Sequence, residues 1–384
     1  MGKFTRSAVF LFLLLIGCVD PYSIKSVSYE PSLVVEGNIT TEFKEHRVVL
    51  SRAAPIGQAQ FIPETGAQVS LKVGSGFLNM QEISPGVYVT PPLAGVIGTA
   101  YSLHINTSNG QEVVSEEVVL RSTPDIKDIY ATYSTDLRVG DKTGGIQILL
   151  DTEDPTGTTR YFRWEYEQTW EIQTPFESNF IWIGGNNVVF RSVPVSNCYA
   201  SDSSNRVIIN STRGLAADKV VGQLIQTLPA EGPYLSVKYS ILVRQRSLSE
   251  TGYFYWQALE KTNQSQGTLY DTQPGTVQGN LSSVTGDGVV LGYFDASAVK
   301  EMRVFFSPRD FRDKGFVPLG FEDYCNFLTA AQVPQSGIGN FLSANPGLEI
   351  IGATGFGDPT LFLLPAACCD CTAIGTNIKP AFWQ

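Results

Sequence analysis

The chain has 384 residues with 37 acidic against 27 basic side chains, a formal net charge of −10. That charge repels phosphate backbones and argues against a nucleic-acid partner. Apolar content of 43% with only 17% charged residues describes a globular chain with full cores, not a disordered one, and the length is enough for two or three domains.

Lys3 and Arg6 lead into the apolar run Ala8 to Ile16, nine residues that are too few to span a bilayer. The run has the form of a secretion signal. Its end, Leu15-Ile16-Gly17-Cys18, resembles a bacterial lipobox, where a peptidase cuts before the cysteine and the thiol takes a diacylglycerol. Gly17 suits a tight peptidase pocket, and Cys18 supplies the nucleophilic sulfur. The reading is a lipoprotein signal peptide over 1–17, lipidation at Cys18 and a polar tether over 18–31. The acidic chain has no electrostatic hold on anionic lipid, so Cys18 reaches its membrane partner through acyl chains, two or three of which hold durably where one does not.

Short apolar segments punctuated by turns follow, among them Leu33-Val34-Val35, Arg47-Val48-Val49-Leu50, Val69-Ser70-Leu71, Tyr101-Ser102-Leu103 and Val113 to Leu120. About seven strands in about ninety residues predict an immunoglobulin-like β-sandwich over 32–122. No cysteine lies in it, so its core alone must hold it.

Ser122-Thr123-Pro124-Asp125 reads as a linker, and a larger β-rich domain is expected over 125–306. From Arg160 to Ile172, Phe162, Trp164, Tyr166 and Trp170 alternate with Arg163, Glu165, Glu167 and Glu171, a strand with one apolar and one charged face. Phe180 to Ile183 and Val188 to Phe190, joined by Gly184-Gly185-Asn186-Asn187, predict a hairpin. One helix is expected near 250–263. Ser247-Leu248-Ser249-Glu250 has the form of a capping box, and Tyr253, Trp256 and Leu259 recur at helical spacing. Such an aromatic helix in a β protein plugs a sandwich or packs between domains, with a ligand platform as the alternative. The remainder, 307–384, is a Gly/Pro-rich, cysteine-containing segment expected to pack on the second domain. The fold class is therefore all-β.

No catalytic constellation emerges. His46 and His104 are the only histidines and have no nucleophile elbow near them. Asp151-Thr152-Glu153-Asp154 has alternating acidic oxygens but lacks the later bidentate Glu of a calcium loop. Glu165 and Glu167 could mimic a glycosidase pair, against the plainer reading of a solvated sheet face. Besides Cys18 the chain has Cys198, Cys325, Cys368, Cys369 and Cys371, an odd number in a compartment that permits disulfides. Cys368 and Cys371 have CxxC spacing, but zinc would need a second pair or a histidine nearby. Two of the last three cysteines bridging outward to Cys198 and Cys325 is the favoured arrangement, its connectivity open. The sequence points to no metal and no cofactor.

Several blocks together resemble a family of Bacteroidota outer-membrane lipoproteins classed as a domain of unknown function. They are Gly17-Cys18-Val19-Asp20-Pro21-Tyr22, Leu33 to Thr40, Arg160 to Glu165, Tyr239 to Gln245, Val290-Leu291-Gly292-Tyr293-Phe294 and Cys368-Cys369-Asp370-Cys371-Thr372. The resemblance implies an accessory of nutrient uptake beside a TonB-dependent outer-membrane transporter, and it carries no catalytic residues. The leading expectation is thus a non-enzymatic outer-membrane lipoprotein that binds a transporter or its cargo. The alternatives are a lipid-anchored hydrolase acting on polysaccharide and a structural or adhesion protein of the envelope.

Overall fold

The computed structural model describes residues 31–54, 61–140, 142–264, 276–286, 288–317, 325 and 328–384. The leader, Cys18 and the tether as far as residue 30 lie outside them. The described chain is all-β: two sandwiches and a smaller C-terminal sheet, with one long helix wedged between the sandwiches. No helix among the described residues is long and apolar enough to cross a membrane.

In the first sandwich Leu33–Thr40 is antiparallel to Arg47–Arg52, which pairs in turn with Val87–Val89. The facing sheet is built around Gln68–Val73, Ala100–Asn106 and Glu112–Ser115. Leu33, Val35, Val48 and Leu50 of one sheet are fully buried in the same core as Leu71 and Leu103 of the other. The alternation read from the sequence is what fills this interior.

The predicted boundary at 122–125 does not close the first sandwich. Leu281–Ser283 adds to one sheet, antiparallel to Glu112–Ser115, and Val290–Ser297 adds to the other. The latter runs parallel to Leu33–Thr40 in unbroken register from Leu33 opposite Val290 to Thr40 opposite Ser297. A parallel pair needs a crossover, and here the crossover is most of the second sandwich. Phe294 and Ala296 enter the first core, while Tyr293, Asp295 and Ser297 are also buried. Covered on both faces, the strand loses the alternation that would have marked its place.

Two glycines permit this closure. Gly292 has φ +103°, and a Cβ there would lie 1.9 Å from the Val35 carbonyl oxygen; one on Gly279 would lie 1.6 Å from that of Gly292. Three backbones stack where no side chain fits.

The second sandwich packs a three-stranded sheet, Ile126–Val139, Lys142–Glu153 and Lys219–Pro229, on a five-stranded one centred on Tyr161–Gln173 and Tyr239–Ser247. Phe162, Trp164 and Tyr166 point inward as their spacing predicts, against Ile146, Ile148 and Leu150. The buried Trp164 indole donates to Gln245 Oε1 at 2.8 Å, and the Gln245 amide donates onward to Pro124 O and Thr152 Oγ1.

The hairpin Phe180–Trp182 and Val188–Phe190 forms as expected, but not in the second sandwich. It pairs with Leu348–Thr354 of the tail, which continues through Thr360–Pro365 to Ala331–Pro334. The tail therefore contributes three strands to a separate sheet completed by that hairpin, with a short helix, Ile338–Ala344, packed on its core.

Candidate functional site

The helix Glu250–Gln264 starts where it was expected, near 250, but its cap is not the residue the capping-box form suggested. Ser249, not Ser247, is the N-cap: its Oγ accepts the Gly252 amide at 3.0 Å. Ser247 is instead buried in the preceding strand, its amide donating to Thr123 Oγ1. Glu250 pairs with Arg213.

From this start the aromatic residues of the helix reach both sandwiches. Tyr253 lies on Tyr161 of the second (ring centroids 5.0 Å apart). Tyr255 stacks on Tyr293 of the first (4.9 Å, planes 26° apart). The Trp256 ring lies 3.6 Å from the Arg163 guanidinium, a cation–π contact away from water. The helix is a wedge between domains, as its aromatic content suggested.

Beneath it is a charge cluster that spans the two sandwiches. Arg163 Nη2 is 2.6 Å from Glu165 Oε1, and Arg246 Nη2 is 3.3 Å from Glu165 Oε2. Asp295, from the crossover strand of the first sandwich, is wholly enclosed near both arginines. Burial pushes the Asp295 carboxyl up; Arg246, the Ala296 amide and Arg163 oppose that shift without cancelling it. Burial also works against Glu165, but Arg163 and Arg246 outweigh it and hold that carboxyl below its ordinary range. Glu165, about a third exposed at its side chain, is held by both arginines, and Asp295 is buried near them, so loss of an arginine leaves a carboxylate without its countercharge.

On the outer side of the wedge is a cleft of about 690 Å³, between the helix and the segment Thr276–Asn280. Tyr255, Tyr293 and Phe254 supply aromatic surface, and Glu116, Thr251 and Gln278 supply polar groups. Residues 265–275, which connect the two walls along the chain, lie outside the described residues. Asn280 anchors one wall: its amide donates to Phe294 O at 2.8 Å and its Oδ1 accepts the Phe294 amide at 2.9 Å. Aromatic faces rimmed by polar groups, with Glu116 and Lys261 charged among them, can hold a small molecule or peptide by stacking and hydrogen bonds. Glu116 is the one carboxylate among the described lining residues.

The other candidates resolve into structural roles. His46 is buried; its Nδ1 accepts the Thr40 amide at 3.4 Å and its Nε2 donates to Leu93 O at 3.0 Å, and burial pushes its pKa down. His104 lies edge-on to Phe77. Asp154 spends both carboxylate oxygens on its own loop, accepting from Thr156, Thr158 and Thr159. Glu167 pairs with Arg244, which also holds Glu301, so the Glu165/Glu167 pair is neutralised by arginines on the same sheet. That face is only partly solvated, because the helix covers the Arg163 end of it. Among the described residues no group of three or more His, Cys, Asp or Glu side chains could hold a metal ion.

The cysteines bridge outward from the tail: Cys198 to Cys371 and Cys325 to Cys368. Among the described cysteines Cys369 is the free thiol, buried, its Sγ donating to Pro365 O at 3.3 Å. Burial, with Glu349 and Asp370 nearby, pushes its pKa up to about 12, which leaves it unreactive. Cys18 lies outside the described residues.

The sequence reading missed Arg246, Asp295, Tyr293 and Asn280 as a group. One signal was present: a carboxylate at 295 inside the apolar run Val290 to Ala298 has to meet a buried cation.

No curated protein matches the chain. A family model, "Domain of unknown function (DUF4249)", matches residues 19–303, most of the two sandwiches and the whole of the wedge between them. The chain belongs to the DUF4249 family.

Proposed function

We propose that the protein is a lipid-anchored outer-membrane lipoprotein that acts, without catalysis of its own, as an accessory or binding component of a TonB-dependent nutrient-uptake system. The observation that carries this reading is a coincidence of boundaries. The family match begins at residue 19, directly behind Leu15-Ile16-Gly17-Cys18. Cleavage before Cys18 would leave a mature chain that the family match covers from its second residue onward.

The site geometry supports binding over hydrolysis. Glycosidases place two carboxyl groups about 5–9 Å apart across a cleft, whereas the described walls of this one hold Glu116 alone. Glu165 and Glu167 are held by arginines. The transporter partnership follows from the family resemblance, and the aromatic wedge cleft is a surface on which cargo or partner could rest.

Two measurements test the reading together. Metabolic labelling with a radioactive fatty acid should mark the wild-type protein and not Cys18→Ala. Affinity purification from the native membrane fraction should bring down a β-barrel transporter. Absence of label in the wild type removes the anchor, and repeated recovery without a barrel partner removes the uptake role.

A further inference from the structure

Arg121, Arg160 and Arg213 come from three separate segments and line one pocket of about 350 Å³ at the joint between the sandwiches. Arg121 ends the first sandwich, where it bridges to Ser297. Arg160 directly precedes the central strand Tyr161–Gln173 of the second, and Arg213 lies in the turn after Ile208–Ser211. Tyr161, Leu248 and Glu250 add to the wall beside the start of the helix. In a chain of net charge −10, that gathering of one sign needs a reason.

Internal ion pairs do not use up the three charges. Among the described residues Arg121 has no acidic partner. Arg160 Nε is 3.9 Å from Asp218 Oδ2, the limit of an ion pair, and the other carboxylate oxygen of Asp218 accepts from Thr212 Oγ1 at 2.7 Å. Arg213 pairs with Glu250, but the two side chains are 59% and 52% exposed, where such a contact contributes little. One lining carboxylate thus faces three guanidinium groups. Backbone bonds keep their segments together: the Ala298 amide donates to Arg121 O, the Thr212 amide to Arg160 O and the Leu248 amide to Tyr161 O, each at 2.9 Å. The Arg213 guanidinium also donates to the Tyr161 hydroxyl at 3.5 Å. The placement of the three chains is therefore set by the fold before any ligand arrives, which lowers the ordering cost of binding.

We propose that this pocket binds the oxyanion of a small ligand, a carboxylate, sulfate or phosphate group, between Arg121 of the first sandwich and Arg160 and Arg213 of the second. A guanidinium fork matches two oxygens of such a group. A concave wall of one sign also concentrates anions that an acidic body otherwise repels. The volume is at the lower end of small-molecule sites, which run from about 300 to 1,000 Å³, so it suits a molecule of the size of one sugar ring. Glu250 is the competitor, because an incoming oxyanion displaces it from Arg213. The site is apart from the aromatic cleft, and the proposal holds whether or not the chain is lipid-anchored or joined to a transporter.

The test is isothermal titration of the full-length protein in an uncharged detergent, at low and constant ionic strength, with sulfate, phosphate, glucuronate and glucose as probes. At least one of the three anions should bind saturably, and glucose should not bind. Arg121→Gln changes an exposed side chain that has no acidic partner, and it should weaken anion binding about tenfold or more, with Arg121→Lys recovering part of the loss. Glu250→Gln should tighten binding by about two- to fivefold, since the competitor has lost its charge. Binding of the inorganic ions alone supports the site and identifies its ligand as a free ion. Tighter binding of glucuronate supports it and identifies the ligand as the acid group of an organic molecule. No saturable binding of any anion, or glucose bound as well as glucuronate, overturns the proposal. An affinity unmoved by Arg121→Gln, or unmoved or weakened by Glu250→Gln, places the anion elsewhere and likewise overturns it.

Discussion

The first sandwich contains no cysteine, while two disulfides pin the C-terminal sheet, and the difference follows from how each closes its core. In the first sandwich two sheets face one another and the closing strand arrives from residues 290–297, held by backbone pairing and burial alone. Among the described residues the C-terminal sheet has a core of six buried side chains, Val333, Ile338, Leu342, Ile350, Leu361 and Leu363. So small a core is marginal against the entropy of ordering the chain, and Cys198–Cys371 and Cys325–Cys368 offset part of it by constraining the unfolded state. One region is therefore sensitive to backbone space and the other to redox state.

The largest effect expected from that contrast is at Gly292. Gly292→Ala places a Cβ against the Val35 carbonyl at a φ of +103°, so the closing strand must shift, at a cost of about 4 kcal/mol or more. Gly352→Ala, in the C-terminal sheet with nothing within 4 Å of the added atom, should change stability by less than about 1 kcal/mol. Urea unfolding of the two variants measures the difference, and equal midpoints would break the contrast. Next comes the Cys198→Ser, Cys371→Ser double variant. It should cost about 2–4 kcal/mol, seen as protease cleavage of the tail with the first sandwich still resistant. Cys369 should react with iodoacetamide only after denaturation, because it is buried with its pKa near 12.

Asn280→Ala sharpens the same comparison at a smaller scale. It removes both hydrogen bonds to the Phe294 backbone and leaves buried partners unmet, a loss of about 2 kcal/mol. Since Asn280 also lines the cleft, the variant should loosen that wall, read as faster amide exchange at Phe294. Unchanged exchange there would mean that the side chain does not hold the two segments together.

Local pattern was legible in this chain and long-range partnership was not. Leu33, Val35, Phe162, Trp164 and Tyr166 point inward because alternation encodes facing directly. The helix was legible from its aromatic spacing, though its cap lay at Ser249, because Ser247 is taken by the sheet through Thr123. That 290–297 completes the first sandwich, or that 180–190 belongs with the tail, has no local signature. Both pairings join residues more than a hundred positions apart, and a strand buried on both faces shows no period. The outward bridging of the cysteines followed from their odd number and close spacing, but which pairs with which is a property of the folded sheet. Asp295 was readable only as an anomaly, the arginines near it, Arg163 and Arg246, lying on strands whose neighbours the sequence does not name.

The smallest effect lies at the joint between the sandwiches, where closure uses neither a glycine contact nor a disulfide. Burial alone would raise the Asp154 carboxyl, but donors from Thr156, Thr159 and Thr158 outweigh it and hold the pKa at about 2, against an ordinary 3.8. The loop also reaches the inter-domain linker, Thr159 Oγ1 donating to Ser122 O. With the folded pKa below the unfolded one, the stabilisation is complete above pH 3.8 and drains away as pH falls through 2. Asp154→Asn cannot accept all of these bonds, so it should lower stability at pH 7 by a few tenths to about 1 kcal/mol. The gap between variant and wild type should narrow as pH drops from 4 toward 2, because protonation then removes from the wild type what the substitution has already removed. Thermal midpoints at stepped pH measure it. A gap that stays constant through this range would mean that the Thr156–Thr159 turn holds its shape without the charge, and that the joint depends on the linker contacts of Thr123 with Ser247 and Ala298.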